Sequence, residues 1–288
     1  MSIDVLQERI RKLKSPVIVD LSVKAEHIPA HLQPEQDLPL AYEALCRQLL
    51  RTLSSKAAGV RFSFDRFALL GALDRLSVLM KEAMELGYYV LLDGPAMLTS
   101  WAAQTAADML LGEGSAYPCH GLVLSPWIGR DAIKAFTPCC RQGKSVFFAV
   151  RTPNKSSSEL QDLLTGSRLA HVAAADIVNR HGESILGKCG YSHVGVLTAG
   201  TNTAAVQGLR GKYNRLFLLV DGIDYPGGNA KICSCGFDRF GHGAAVCAGV
   251  SVTGAWLENG TDGTDFAEQA EKAVERIKNN IFRYISVL

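Results

Sequence analysis

The 288-residue chain reads as a single (β/α)8 barrel, on three observations. Eight short β-branched or aromatic runs recur along it. They are almost continuously apolar rather than alternating, as strands buried on both faces of a parallel sheet are. Amphipathic helical patterns fill most of the intervals, and the length suits eight β/α units in one domain. With 48% of residues apolar, a core of that size can be filled.

The elements follow in order. MSIDVLQERIRKLK carries Val5, Leu6, Ile10 and Leu13 on one stripe, so a helix is expected over 1–15. PVIVD (16–20) is the first strand, followed by the helical pattern LAYEALCRQLLRTLSS. AGVRF (58–62) is the second strand, ALDRLSVLMKEAMEL a helix, and YYVLLD (88–93) the third strand. SWAAQTAADMLL leads to GLVLS (121–125), and GRDAIKAFTPCC to SVFFAV (145–150). HVGVLT (193–198), the helix NTAAVQGLRGKY and RLFLLV (215–220) come next. The eighth strand falls in AAVCAGVSV, placed at 246–252, which bounds the barrel at 16–256. DFAEQAEKAVERIKNNIFRYI closes the chain as an amphipathic helix over 264–285. A doubly wound sheet would share this periodicity, but no strand is followed by the GxGxxG turn of a dinucleotide site.

Thirty basic and 28 acidic side chains leave a formal net charge of +2. No Lys/Arg run along the chain suggests a phosphate-backbone footprint, which argues against nucleic acid as a partner. The N-terminal helix lacks a signal peptide's uninterrupted apolar core, and no segment suits a bilayer span. The eight cysteines are scattered rather than framed as in a small disulfide fold, so a cytoplasmic protein with free thiols is expected. Cys233, Cys235, His242 and Cys247 form C-x-C-x6-H-x4-C, zinc-like in residue type but matching no common ligand-pair spacing, so no metal is expected. Cys139-Cys140 ends a helix and is read as packed. His120 and His193 precede strands, which places them at the barrel bottom.

Chemistry in such a barrel belongs at the carboxyl ends of the strands. Those ends carry Asp20, Arg61, Asp93, Ser125, Arg151 with Thr152 and Asn154, Thr198 with Thr201, Asp221 and Ser251. Each alone can simply mark where a buried strand meets water; their convergence argues for a ligand pocket.

Four blocks, SPWIGRDAIKAF (125–136), VFFAVRTPNKSSSELQ (146–161), VGVLTAGT (194–201) and LLVDGIDYPGG (218–228), pair a strand with its following loop. In type and order they resemble the orotidine 5'-phosphate decarboxylases of the longer bacterial type, a resemblance running from about Val17 to Trp256. It implies a barrel that removes carbon dioxide from a pyrimidine nucleotide without a cofactor, working as a homodimer. It also implies a Lys-Asp-Lys-Asp array: one lysine at the end of strand two, and three residues from a D-x-K-x-x-D signature after strand three. The second lysine would stabilise and then protonate the carbanion formed on the ring.

In this chain the signature falls on DGPAML. Asp93 matches the first acid, Pro95 stands at the lysine and Leu98 at the second aspartate, while Arg61 takes the strand-two lysine's place. A guanidinium keeps the charge but is too weak an acid to deliver a proton readily, and proline has no donor. The expected Thr-Ser-Asn-Pro appears as Thr152-Pro153-Asn154-Lys155, without the serine that would read the pyrimidine. Asp221 replaces a proline beside the phosphate loop, Asp224 adds a second charge there, and Gly249 stands at the phosphate-clamping arginine. Gly227-Gly228, Gln161, Thr201 and Asp20 persist.

The expectation is therefore a decarboxylase-like barrel with a dismantled catalytic array. It would bind a small molecule, such as a pyrimidine nucleoside or nucleotide, or a partner, at a pocket lined by Asp20, Ser125, Thr152, Asn154, Gln161, Thr201, Gly227 and Gly228. Two alternatives stay open: an active lyase with a site rebuilt from Arg61, Asp93 and Lys155, and a structural subunit paired with an active relative. Lys155 is the lysine of the block after strand five, either a solvated loop residue or a relocated proton donor.

Overall fold

A computed structural model describes residues 1–33 and 37–285. Eight parallel strands close into a barrel: β1 Val17–Asp20, β2 Gly59–Ser63, β3 Tyr89–Asp93, β4 Gly121–Leu124, β5 Ser145–Ala149, β6 Val194–Ala199, β7 Leu218–Asp221 and β8 Ala244–Ala248. Each strand pairs with its neighbours in chain order, and β8 returns to β1, with Val17 opposite Val246. This is the (β/α)8 fold. A two-stranded hairpin, Leu164–Thr165 with Arg168–Leu169, sits in the long connection between β5 and β6.

The strands read as continuous apolar runs because both of their faces are buried, each against a different core. Val17, Val19, Val60, Phe62, Val90, Leu92, Val146, Phe148, Leu218 and Val220 point outward and join the large core under the helices. Ile18, Tyr89, Leu91, Phe147, Leu197, Phe217, Leu219 and Cys247 point inward and fill the barrel. The interior is tight: a Cβ on Gly195 would lie 2.7 Å from the Phe147 ring, so glycine there makes room for that aromatic. Continuing the inward register by two residues brings Asp20, Arg61, Asp93 and Asp221 to the mouth.

The N-terminal helix, Ser2–Leu13, plugs the opposite end. Its Ile3, Leu6 and Ile10 belong to the inner core. Ser2 Oγ donates to the His120 carbonyl at 2.9 Å and lies 2.7 Å from Ser145 Oγ and 3.1 Å from the Tyr89 hydroxyl. His120 and His193 lie at this end, just before β4 and β6, with burial pushing His120 down to about 4. The closing helix, Phe266–Phe282, buries Phe266, Ala270, Val274, Ile277 and Ile281 against the outer layer.

The eighth strand lies earlier than the sequence suggests. It ends at Ala248, and the β-branched run after Gly249 forms a helical turn, Val250–Thr253. The cause is local capture of the backbone: the Asp224 carboxylate accepts the Gly249 and Ser251 amides, which a longer β8 would have used for pairing. Ser251 is thus a helix residue and not a strand end.

Candidate active site at the barrel mouth

Arg61 and Asp20 are direct register partners on β2 and β1, and both point into the mouth. The Arg61 guanidinium is 6% exposed. It donates through Nε and Nη2 to Asp20 Oδ2, the Nε bond at 3.1 Å, and through Nη2 to Asp221 Oδ2 at 3.0 Å. Its Nε also lies 3.6 Å from Asp93 Oδ2. One cation from β2 is therefore shared by carboxylates from β1, β3 and β7.

Three carboxylates around one guanidinium leave excess negative charge in a poorly solvated place, and the three respond differently. Burial works to raise Asp20, but the Arg61 charge and hydrogen bonds, with those from Ser22, outweigh it and hold Asp20 below the ordinary range. Burial raises Asp221 despite Arg61. Asp93, the most distant from the cation, is pushed up to about 7 by burial, with the Asp20 and Asp221 charges adding to the effect. Its Oδ1 accepts no hydrogen bond from the protein. Asp93, and in the same direction Asp221, therefore keep a proton to a higher pH than an ordinary carboxyl. For Arg61, burial opposes the charged form, but the three carboxylates hold its pKa well above the ordinary value. Cys247, inward on β8, lies in the same field, and burial raises its thiol. Tyr225, on the loop after β7, is raised by burial and then by Asp221.

After Asp93 the chain turns sharply. Gly94 donates to the Val123 carbonyl at 2.9 Å, and a Cβ there would lie 2.5 Å from Leu124 Cδ2, so a larger residue would have to displace that leucine. Met97 is buried, whereas Leu98 is 84% exposed. Thr99 then caps the helix Ser100–Leu111.

The block after β5 forms a second cluster. Arg151 donates to both oxygens of Asp162, at 3.0 and 2.8 Å. His171 Nδ1 lies 3.1 Å from Asp162 Oδ1 and 2.9 Å from the Gln161 carbonyl. Gln161 Oε1 accepts the Thr152 amide at 2.8 Å, and the Thr152 hydroxyl donates to Asn154 Oδ1 at 2.6 Å. Thr152, Asn154 and Gln161 are therefore together, as expected, and largely satisfy one another. Asp162 and His171, which hold this cluster from behind, are not visible as site residues in the sequence. Lys155 begins a short 3-10 turn, Lys155–Ser157, and is exposed. Among the described residues its ammonium makes no ion pair with Asp20, Asp93 or Asp221. Ser125 is exposed, its Oγ accepting the Trp127 amide at 3.4 Å.

The loop after β7 closes on itself. Gly222 and Gly227 have φ of 126° and 89°. A Cβ on Gly228 would stand 1.8 Å from the Gly222 carbonyl oxygen, and Thr201 packs against Gly222. The Gly227-Gly228 pair thus serves the loop's own closure. Asp224 reaches out of that loop: its Oδ2 accepts the Gly249 amide at 2.5 Å and its Oδ1 the Ser251 amide at 3.1 Å. Asp224 is therefore not a free charge added beside an anion site; it is bonded to the backbone there.

Cys233 belongs to the outer core and Cys247 to the inner one, while His242 lies on the loop before β8, so the zinc-like spacing does not converge. No group of three or more His, Cys, Asp or Glu among the described residues could hold a metal ion. No helix among them is long and apolar enough to cross a membrane.

No protein-family model matches the chain. It is 26% identical over 254 residues to an orotidine 5'-phosphate decarboxylase of Rhodopirellula baltica, covering 84% of each chain. It is 26% identical over 303 aligned positions to that of Caldicellulosiruptor saccharolyticus, covering 98% of each. Among solved structures it is similar to Leishmania donovani UMP synthase, with 25% identity and a TM-score of 0.74, over 96% of this chain and 56% of that one. The Plasmodium berghei orotidine 5'-monophosphate decarboxylase shares the fold, with a TM-score of 0.78 over 98% of both chains at 11% identity.

Proposed function

The chain belongs to the orotidine 5'-phosphate decarboxylase family, and on that premise we propose that it is a non-decarboxylating member. It binds a small molecule without a strong anionic group, such as a pyrimidine nucleoside, at the barrel mouth, and does so as a homodimer. The observation that carries this reading is the cation beside Asp93. Among the described residues, the group within ion-pair distance of Asp93 is the Arg61 guanidinium, which does not release a proton at neutral pH. Pro95 has no donor, and Leu98 is turned to the surface. The bonds of Asp224 to Gly249 and Ser251 support a weakly charged ligand, because a carboxylate on those amides repels an incoming phosphate.

A second reading keeps catalysis. Asp93, raised to about 7, is poised as a general acid or base, and Lys155 would have to swing inward to join it. The two are separated by incubating the purified protein with orotidine 5'-phosphate and following loss of substrate absorbance. Catalysis by the family rests on electrostatic contributions of several kcal/mol each, and the proton-donating lysine and the second aspartate are replaced here by Pro95 and Leu98, so no turnover above background is expected. Turnover that Lys155→Ala abolishes would replace the first reading with the second.

A further inference from the structure

The outer helical ring carries a basic pocket far in character from the acidic mouth. The short helix Arg130–Lys134 and the long helix Ala170–Gly182 pack against each other, and Arg130, Ile177, Arg180 and His181 line a cavity of about 460 Å³ between them. The two arginines are exposed, and Ile177 and His181 are half-buried. Arg180 Nε is turned to the Asp176 carbonyl of its own helix at 3.3 Å. Among the described residues neither arginine, nor Lys134, nor His181 forms an ion pair with a carboxylate. Burial first, and then the charges of Arg130, Arg180 and Lys134, push His181 below its ordinary value, with no acid counteracting them. In a protein of net charge +2, this is a local excess of positive charge in a concave place.

We propose that this pocket is a binding site for a small anion bearing at least two negative charges. Arg130 and Arg180 supply the forked donors that match phosphoryl or carboxylate oxygens. Lys134, whose charge reaches His181, adds to the field, the half-buried His181 offers a ring N–H, and Ile177 offers an apolar wall to the organic part of the ligand. Uncompensated like charges in a cleft raise the local concentration of such an anion and make its binding sensitive to salt. The site lies on the outer helices and is independent of the reading given to the mouth.

Calorimetry with pyrophosphate and, separately, with citrate tests it, alongside NMR of the His181 imidazole. Saturable binding is expected for at least one probe, with the His181 signals shifting as the site fills. Each of Arg130→Gln and Arg180→Gln, exposed changes that leave the fold intact, should weaken it about tenfold. Tighter pyrophosphate assigns the site to phosphoryl groups, and tighter citrate to polycarboxylates. No saturation of either by about 10 mM, a value weaker than useful recognition, would overturn the proposal. So would equal affinity in the Arg130→Gln/Arg180→Gln double variant.

Discussion

Asp224 Oδ2 accepts the Gly249 amide at 2.5 Å, so a side chain of the loop after β7 occupies the backbone at the end of β8. This is the place where barrels of this kind commonly hold a phosphate. Uridine monophosphate should therefore bind the protein no better than about millimolar, and uridine about as well. Asp224→Ala, which frees those amides and removes a negative charge, should improve nucleotide binding about tenfold and leave the nucleoside unchanged. Micromolar binding of the nucleotide to the unaltered protein, measured by calorimetry, would place the phosphate grip elsewhere.

Arg61 holds three carboxylates together, so its loss should be costly. Arg61→Met leaves the half-buried Asp20, Asp93 and Asp221 without their cation, a change expected to destabilise the protein by about 2 to 4 kcal/mol. Arg61→Lys keeps the charge but not the fork and should fall between the two. Urea denaturation reads both. A loss under about 0.5 kcal/mol for Arg61→Met, the size of an ordinary surface change, would mean that the cluster does not hold the mouth.

Asp93 gives the mouth a pH dependence of known sign. Its pKa in the folded protein, about 7, lies above its ordinary 3.8. The folded state therefore binds more protons than the unfolded one between those values, and this group's contribution falls as pH rises through that window. Buried histidines such as His120, lowered to about 4, act in the opposite direction, so the difference between two proteins is the informative quantity. The melting-temperature advantage of Asp93→Asn over the parent should be larger at pH 8 than at pH 5. An equal offset at both values would show that Asp93 does not titrate in this range.

Assembly can be tested at the loop after β3. Leu98 and Trp101 are 84% and 77% exposed, an apolar pair at the rim of the mouth that a second copy would cover. Light scattering at micromolar concentration should give a dimer, and Leu98→Glu with Trp101→Glu should give a monomer. A monomeric parent protein would remove the homodimer from the proposal.

The barrel was legible because strands buried on both faces cannot alternate, and VIVD, YVLLD and LLVD each carry one acid at the inward position that ends the run. Arg61 could be placed at the mouth with these acids from strand ends alone, but its bonds to Asp20 and Asp221 could not. The helix Ala170–Gly182 was harder to see, since its buried positions include Ala174, Ala175 and Gly182 and give no bulky stripe. The Arg151–Asp162–His171 cluster depends on how the β5 loop folds back over the next helix, and spacing does not encode that. The end of β8 was misplaced for a related reason. Val250 and Val252 favour a strand by residue type, but a carboxylate 25 residues away in the chain takes the Gly249 amide.

The pairing of β1 with β8 and the seating of Ser2 on Ser145 also govern when this molecule can be finished. The first strand of the barrel to be made has one edge that stays open until Ala244–Ala248 has been made. At roughly 5 to 20 residues per second, that interval is on the order of 10 to 50 seconds. During it, Val17–Asp20 can pair with β2 on one side only, and the opening helix has no completed floor to seat on. A nascent chain halted before β8 would therefore present an unpaired edge and a loose apolar helix, both recognisable to chaperones and proteases. Release of the last strand is what turns an open, vulnerable ribbon into a sealed ring.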